Sequence, residues 1–318
     1  MKQLYLSTQS KKRQWLHAKL SVIILTVSLL SCQEPMENID TGMLEPVLLV
    51  EGKITTDTTK HYVLLSQSGA LNDTNTYWVS DAEVTISGNN QTIELFEESP
   101  GHYYTAPDIY GVIGRTYELT IALQNGESYT AQTSISNIPE IDSVKIAWEN
   151  WSGYGDYLHF VYYHGWELQE EGNAYLWNLF LNDTLYNDTL FKTTFVEDDF
   201  VNGNYIGYGA KRYYDSLNNQ INTQGSNFAI YALGPEEINS TEVDVLVEME
   251  SIPLAYYEFW TSFMSQTVWV GSPFDPAKAD LLNNISNGAL GYFYGASVKR
   301  YRFKYIPPDW SLDYRNSN

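Results

Sequence analysis

Cysteine is nearly absent from this chain: Cys32 is the only one in 318 residues. A lone thiol excludes an internal disulfide, even in a compartment that would permit one. Long apolar runs are also scarce. One stands out, residues 20–31, and its twelve positions fall short of the roughly 20 that a spanning helix needs. Basic residues are few, with 18 Lys and Arg against 39 Asp and Glu and a formal net charge of −21. Such a surface repels phosphate backbones and anionic headgroups, so nucleic acid is excluded as a partner. Catalytic signatures are missing as well: there is no Gly-x-Ser-x-Gly elbow, no His-Glu-x-x-His helix, no phosphate-cradling glycine loop and no EF-hand calcium loop. No cofactor is expected, and the chain does not read as an enzyme.

The apolar run is preceded by Lys2, Lys11, Lys12, Arg13 and Lys19, with no acidic residue before Cys32. A basic start, a short apolar middle and a small residue at the end make an export signal. It closes on "LLSC", which resembles the lipobox of bacterial lipoproteins, although Leu30 departs from the small or β-branched residue usual there. That resemblance implies cleavage before Cys32 and a diacylglyceryl group on its sulfur, with residues 1–31 as signal peptide. An ordinary export signal or signal anchor with an incidental cysteine is the alternative. From Cys32 onward the chain keeps 13 basic residues against 39 acidic, a net charge of −26.

Residues 32–46 are acidic, broken by Pro35, Gly42 and Pro46, and lack periodicity. They read as a flexible tether with ends roughly 20 Å apart. From Val47 to Ile138 the pattern becomes period two with turn punctuation. The segments "VLLVEGKIT", "HYVLLSQS", "AEVTISG", "TIELFEE", "GHYYT", "TYELTIAL" and "SYTAQTSI" are seven candidate antiparallel strands. Asn125-Gly126 signals a hairpin between the last two. Seven short strands at this spacing predict an immunoglobulin-like β-sandwich over residues 47–138.

Pro139 interrupts the pattern and marks a boundary. Residues 139–306 then form a second β-rich domain, with strands in "SVKIAW", "YLHFVYY", "AYLWNLFL", "NFAIYAL" and "EVDVLVEME", followed by a tail at 307–318. One amphipathic helix begins at Pro253, with Tyr256, Phe259, Trp260 and Phe263 at helical spacing. The fold class is therefore mainly β. Between Glu197 and Asn227 runs a polar stretch carrying Phe200, Tyr205, Tyr208, Tyr213 and Tyr214. A connection this long is usually functional or disordered, and these aromatics are the candidate contacts to a ligand or partner.

The remaining chemistry is ambiguous. His159 and His164 are five apart in strand-like sequence, which points them to opposite faces and not at one metal. Glu197, Asp198 and Asp199 read as a solvated acidic turn in preference to a calcium site. A glycosidase needs only two suitably placed carboxylates, which 39 acidic residues always leave available. "KRYRFKY" sets Arg300, Arg302 and Lys304 on one strand face, either as an anion-binding stripe or as partners for Glu242, Asp244, Glu248 and Glu250, which share one face of "EVDVLVEME". Pairing is the favoured reading. Five Asp-Ser/Thr tripeptides, at Asp57, Asp142, Asp183, Asp188 and Asp215, resemble the O-glycosylation sequon of one Gram-negative phylum.

Across most of the exported chain, "VEGKIT", "DAEVTISG", "SPGHYYT", "GVIGRTYELTI", "IPEIDSV", "YYEFW", "SPFDP" and "NNISNGALGYFYGASV" together resemble the domain-of-unknown-function 4249 (DUF4249) family of lipoproteins. The resemblance implies an outer-membrane lipoprotein anchored through Cys32, of a kind often encoded beside TonB-dependent transporters. It transfers no catalytic residue. The expected role is a non-catalytic binding or accessory subunit of an uptake system, with its ligand unidentified. A surface hydrolase acting on glycans or peptides is the alternative.

Overall fold

The computed structural model describes residues 46–69, 73–150, 157–189, 192–198, 202–207, 212–215, 220–223, 229–238, 241–267 and 282–308. The protein is mainly β. Its first half holds β1 (Leu48–Thr55), β2 (Tyr62–Gln67), β3 (Tyr77–Trp78), β4 (Glu83–Gly88), β5 (Gln91–Ser99), β6 (His102–Tyr104), β7 (Thr116–Ala122) and β8 (Ser128–Ser134). The second holds β9 (Ser143–Asn150), β10 (Tyr157–Trp166), β11 (Ala174–Leu181), β12 (Thr184–Leu185), β13 (Thr194–Glu197) and β14 (Tyr205–Ile206). It continues with β15 (Arg212–Asp215), β16 (Gln220–Thr223), β17 (Ala229–Leu233), β18 (Val243–Ile252), helix α1 (Leu254–Thr267) and β19 (Leu290–Tyr305). All seven strands expected before Pro139 are present, joined by the short β3.

One thirteen-stranded sheet runs through both halves, in the order β12-β11-β18-β19-β1-β2-β6-β5-β4-β7-β8, with β13 beside β11 and β3 beside β2. Its first core is built from the alternate positions of the early strands, including Val50, Ile54, Val63, Leu65, Ile86, Leu119 and Ile121. Ile285, Ala289 and Phe293 from the far end of the chain complete that core. The second core gathers Val161, Tyr163, Trp177 and Leu179 with Val243, Val245, Val247 and Met249. A third cluster, around Tyr256, Phe259, Tyr292 and Tyr294, lies under α1.

The sixteen-residue β19 joins these parts. Leu290–Ala296 pair in parallel with β1, and Ser297–Tyr305 pair antiparallel with β18. The expected boundary at Pro139 falls in the β8–β9 connection, and β19 serves the sheet on both sides of it. Gly291 makes the parallel pairing sterically feasible: it adopts φ +120°, and a Cβ there would sit 1.9 Å from the Val50 carbonyl oxygen. The chain just before β19, together with Gly295 of β19 itself, also covers the outer edge of β8. Ser286 N donates to Thr130 O (2.9 Å), Asn284 Nδ2 donates to Gln132 O (3.0 Å), and Gly295 N donates to Thr133 Oγ1 (2.7 Å). An otherwise open sheet edge is thereby closed within the chain.

Helix α1 starts directly after Pro253, whose carbonyl accepts from Tyr256 N (2.9 Å) and Tyr257 N (3.2 Å). Proline fits here because that position needs no N–H donor. The helix buries Tyr256 and Phe259 on the sheet, with Tyr256 stacked on Tyr294 at 4.0 Å. Among the described residues, no helix is long and apolar enough to cross a membrane.

Candidate functional site

Of the tyrosine-rich set, Tyr205 has a defined environment. It lies on β14, opposite Trp166 at the end of β10, with Gly165 opposite Ile206. Alternation turns Ile206 into the second core and Tyr205 outward. The Tyr205 and Trp166 rings meet edge-on at 5.3 Å, and Trp166 is 61% exposed. Two backbone bonds fasten the neighbouring segments, from Glu167 N to Asn204 O (2.9 Å) and from Gly203 N to Leu168 O (2.8 Å). Tyr213 and Tyr214 belong to β15, which pairs with β16 as a separate two-stranded sheet. Phe200, Tyr208 and Cys32 lie outside the described residues. Trp166 was not singled out by sequence. Its only signal is its place at the end of an aromatic strand, directly after Gly165.

The acidic turn beside this surface is committed to local structure. Asp198 is buried, and its two carboxylate oxygens accept from Gly172 N (3.1 Å) and Asn173 Nδ2 (3.0 Å). Glu167, also buried, accepts from the Tyr175 hydroxyl and from Leu168 N (3.0 Å). Burial raises the Glu167 carboxyl above the usual carboxylate range, partly offset by these donors. His159 packs against Trp148 and Tyr305, accepting or donating at Nδ1 to the Tyr305 hydroxyl (2.9 Å), and burial pushes it down to about 4. His164 packs against Gly207 instead. Among the described residues no group of three His, Cys, Asp or Glu is placed to hold a metal.

The basic and acidic strands pair as their alternation predicts. The register sets Arg300 opposite Glu248, Leu246 opposite Arg302 and Asp244 opposite Lys304. Arg302 reaches Asp244 (2.7 Å) and Asp183 (2.6 Å), and Lys304 pairs with Glu242. Nearer α1 the same sheet face buries a tighter cluster. Lys53 Nζ meets Glu250 Oε1 at 2.5 Å, Asn178 Nδ2 donates to Glu248 (3.0 Å) and Glu250 (3.3 Å), and the Tyr294 hydroxyl donates to Glu250 (3.4 Å). Arg300 then joins Glu248 (2.5 Å) to Asp57, which it grips with both terminal nitrogens. Glu250 is fully buried. Its carboxyl is raised above the usual range by burial, against the pull of Lys53 and with a further push from Glu248. Because Lys53 and Asp57 belong to the β1 region and the two glutamates to β18, the cluster clamps the sheet across β19. Both glutamates are occupied by internal cations and the Asn178 amide.

The fold is thus a mainly β scaffold whose charged cluster is internally paired and whose aromatic edge faces solvent. By its sequence the chain belongs to the family described as domain of unknown function (DUF4249), whose model matches residues 36–302. No curated protein matches it. Among solved structures, a chain titled "Cytokine receptor complex - Crystal form 1A" aligns at 9% identity over 79% of this chain and 94% of that one, with a TM-score of 0.23, too low for a shared fold.

Proposed function

We propose that this protein is an outer-membrane lipoprotein, anchored through Cys32, that serves as a non-catalytic binding or accessory subunit of a TonB-dependent uptake system. The observation that carries the binding role is the Trp166–Tyr205 pair. It is solvent-facing yet held on a fixed strand register, at the point where the tyrosine-rich segment meets the sheet. An exposed aromatic whose position is already set gives up little freedom on binding, and Trp and Tyr dominate binding energetics at such surfaces. The anchor follows from the basic-apolar-"LLSC" order. A tether of roughly 20 Å raises the local concentration near a membrane partner.

The hydrolase reading has one feature in its favour, the Glu248/Glu250 pair beside an aromatic cluster. With their oxygens engaged by Lys53, Arg300 and Asn178, the two carboxylates fit a clamp better than an acid and a nucleophile waiting for substrate. The deciding experiment is affinity isolation of the native lipoprotein from membranes, alongside a Trp166→Ala variant. Recovery of a TonB-dependent transporter with the parent and its loss with the variant supports the proposal. Isolation without any transporter, together with glycan or peptide hydrolysis by the purified protein, overturns it in favour of the enzyme.

A further inference from the structure

Helix α1 covers only part of the sheet face that carries it. Beneath it lie Leu176, Ile252, Tyr292 and Tyr294, from β11, β18 and β19. Across β1 the same face continues onto β2, β3, β6 and β5. There the register sets Trp78 opposite Ser66, His102 opposite Leu64, and Tyr104 between Tyr62 and Phe96. The opposite side of these strands holds Val63, Leu65, Leu95 and Tyr103 in the first core. Alternation therefore turns all four outward: Trp78, His102 and Tyr104 form a row with steps of roughly 7 Å along β2, and Phe96 stands beside Tyr104 one strand further out. Trp78 is 41% and Phe96 57% exposed.

The row is built and not incidental. The Trp78 ring packs on His102 at 4.2 Å and lies directly over Gly101, where a Cβ would come within 2.9 Å of its Cε3. Gly101, at φ +72°, donates its N–H to Glu97 Oε1 (2.9 Å) and accepts at its carbonyl from Leu65 N (2.8 Å). The second Glu97 oxygen holds Asp81 N (2.9 Å), and His102 Nδ1 is fixed on Pro100 O (2.8 Å). At the far end Lys60 lies over the Tyr104 ring at 6.0 Å while paired with Glu98 at 2.5 Å. The aromatic faces are thus positioned before any ligand arrives, which lowers the ordering cost of binding.

We infer that this row is a binding platform for an extended, uncharged glycan chain, with sugar rings lying on Trp78, Tyr104 and Phe96. A pyranose has an apolar C–H face and a polar hydroxyl rim, which match an aromatic ring bordered by polar groups. A quaternary or lysine ammonium would instead need aromatic faces converging as a cage, whereas these stand side by side on one sheet surface. A polyanion is disfavoured by the net charge of −26 beyond the signal and by the pairing of Lys60 with Glu98. A membrane-interface belt would hold its aromatics at one level. This row runs along β2, from the Ser66 end beside Val47, where the chain enters the fold, to the Tyr62 end. The platform is separate from the Trp166–Tyr205 edge and does not depend on it.

The test is calorimetric titration of the full-length lipoprotein, held in a zwitterionic detergent, with maltoheptaose, cellohexaose, xylohexaose and mannohexaose, and with hexalysine as the cationic control. Binding of at least one oligosaccharide is expected, weakened about tenfold or more by Trp78→Ala and by Phe96→Ala and unaffected by Tyr110→Ala, which removes an exposed aromatic outside both surfaces. Phe96 is mostly exposed, so its variant should keep the parent's melting temperature; Trp78→Ala gives up the packing on His102 and Gly101, and an unchanged far-UV circular dichroism spectrum at the titration temperature excludes unfolding as the cause. The proposal is overturned if no oligosaccharide binds, if Trp78→Ala leaves the affinity unchanged, or if hexalysine alone binds through Trp78. It is also overturned if Trp78→Ala abolishes adsorption of the protein to phosphatidylethanolamine vesicles while glycan binding persists.

Discussion

Replacing Phe293 with alanine tests whether the last strand makes the whole protein one cooperative unit. Phe293 is fully buried, and it packs in the first core although it lies more than 150 residues beyond the last early strand, β8. Its backbone pairs with Gly52 of β1, so its ring fills the space beneath the early strands. Removing a buried phenyl ring costs about 3–5 kcal/mol, combining lost transfer energy with the cavity left behind. At roughly 2–4 °C per kcal/mol for a unit of this size, the melting temperature should fall by about 6–20 °C. Native-state hydrogen exchange carries the sharper result. Ile121 in β7 and Val245 in β18 should lose protection by the same free energy, because β19 is shared by both parts of the sheet. Unchanged protection at Val245 alongside loosened β7 would show that the two halves open independently. The fragment 47–138, which looks self-sufficient by its strand count, lacks β19 and the cover over β8. It should therefore melt without cooperativity.

Glu250→Gln gives a pH signature. The unfolded group titrates near 4.5, and burial holds the folded group above that. As pH rises through this interval the unfolded chain ionises first, so the parent loses stability that it holds fully below 4.5. Glutamine cannot ionise, and the variant's stability relative to the parent should climb with pH in denaturant titrations at pH 4, 5.5 and 7; a flat or falling difference refutes the assignment. Arg300→Met should lower the melting temperature by a few degrees, since Glu248 loses its cation in a partly buried setting. Arg302→Met should leave it unchanged, because its partners on an exposed strand face are screened; equal effects from the two variants would contradict the clamp. Cys32→Ser should yield an unlipidated, soluble or unprocessed product, and an unmodified Cys32 thiol in the parent by mass spectrometry would end the lipoprotein reading.

Sequence pattern carried the half-buried strands well, because each has one wet face and therefore alternates. The pairing of "EVDVLVEME" with "KRYRFKY" was legible for the same reason: two alternating strands of opposite charge have complementary faces. The front half of β19 was not legible. "LGYFYGA" is flanked by structure on both faces, with Phe293 in the first core and Tyr292 and Tyr294 beneath α1, so it shows no period at all. Its parallel pairing with β1 spans nearly the whole chain, and no local signal encodes such a contact. At the candidate site, Tyr205 could be proposed from composition. Its partner Trp166 is an outward residue among inward aromatics, and only the register with β14 separates it from them. The Trp78 row failed for a related reason: β3 is two residues long, below any window in which periodicity can be read.

The distribution of charge favours a neutral ligand on physical grounds. Beyond the signal the chain has 13 basic residues, and Lys53, Lys60, Lys192, Lys299, Arg300, Arg302 and Lys304 are each in an ion pair with a carboxylate of the same chain. These cations hold strands and loops together and are not free to meet an incoming anion. With 39 carboxylates against so few cations, the potential close to the surface is negative, and it acts within about one Debye length, roughly 8 Å at physiological salt. An anionic ligand would be slowed in its last approach by that field and would find seven of the thirteen cations already engaged. An uncharged chain of rings feels no such barrier, and Trp78, Tyr104 and Phe96 present a surface that binds by contact area instead of charge. Raising the ionic strength from 50 to 500 mM should therefore leave oligosaccharide affinity nearly constant. A steep salt dependence in that titration would mean that charge drives recognition and that the aromatic row is not the contact surface.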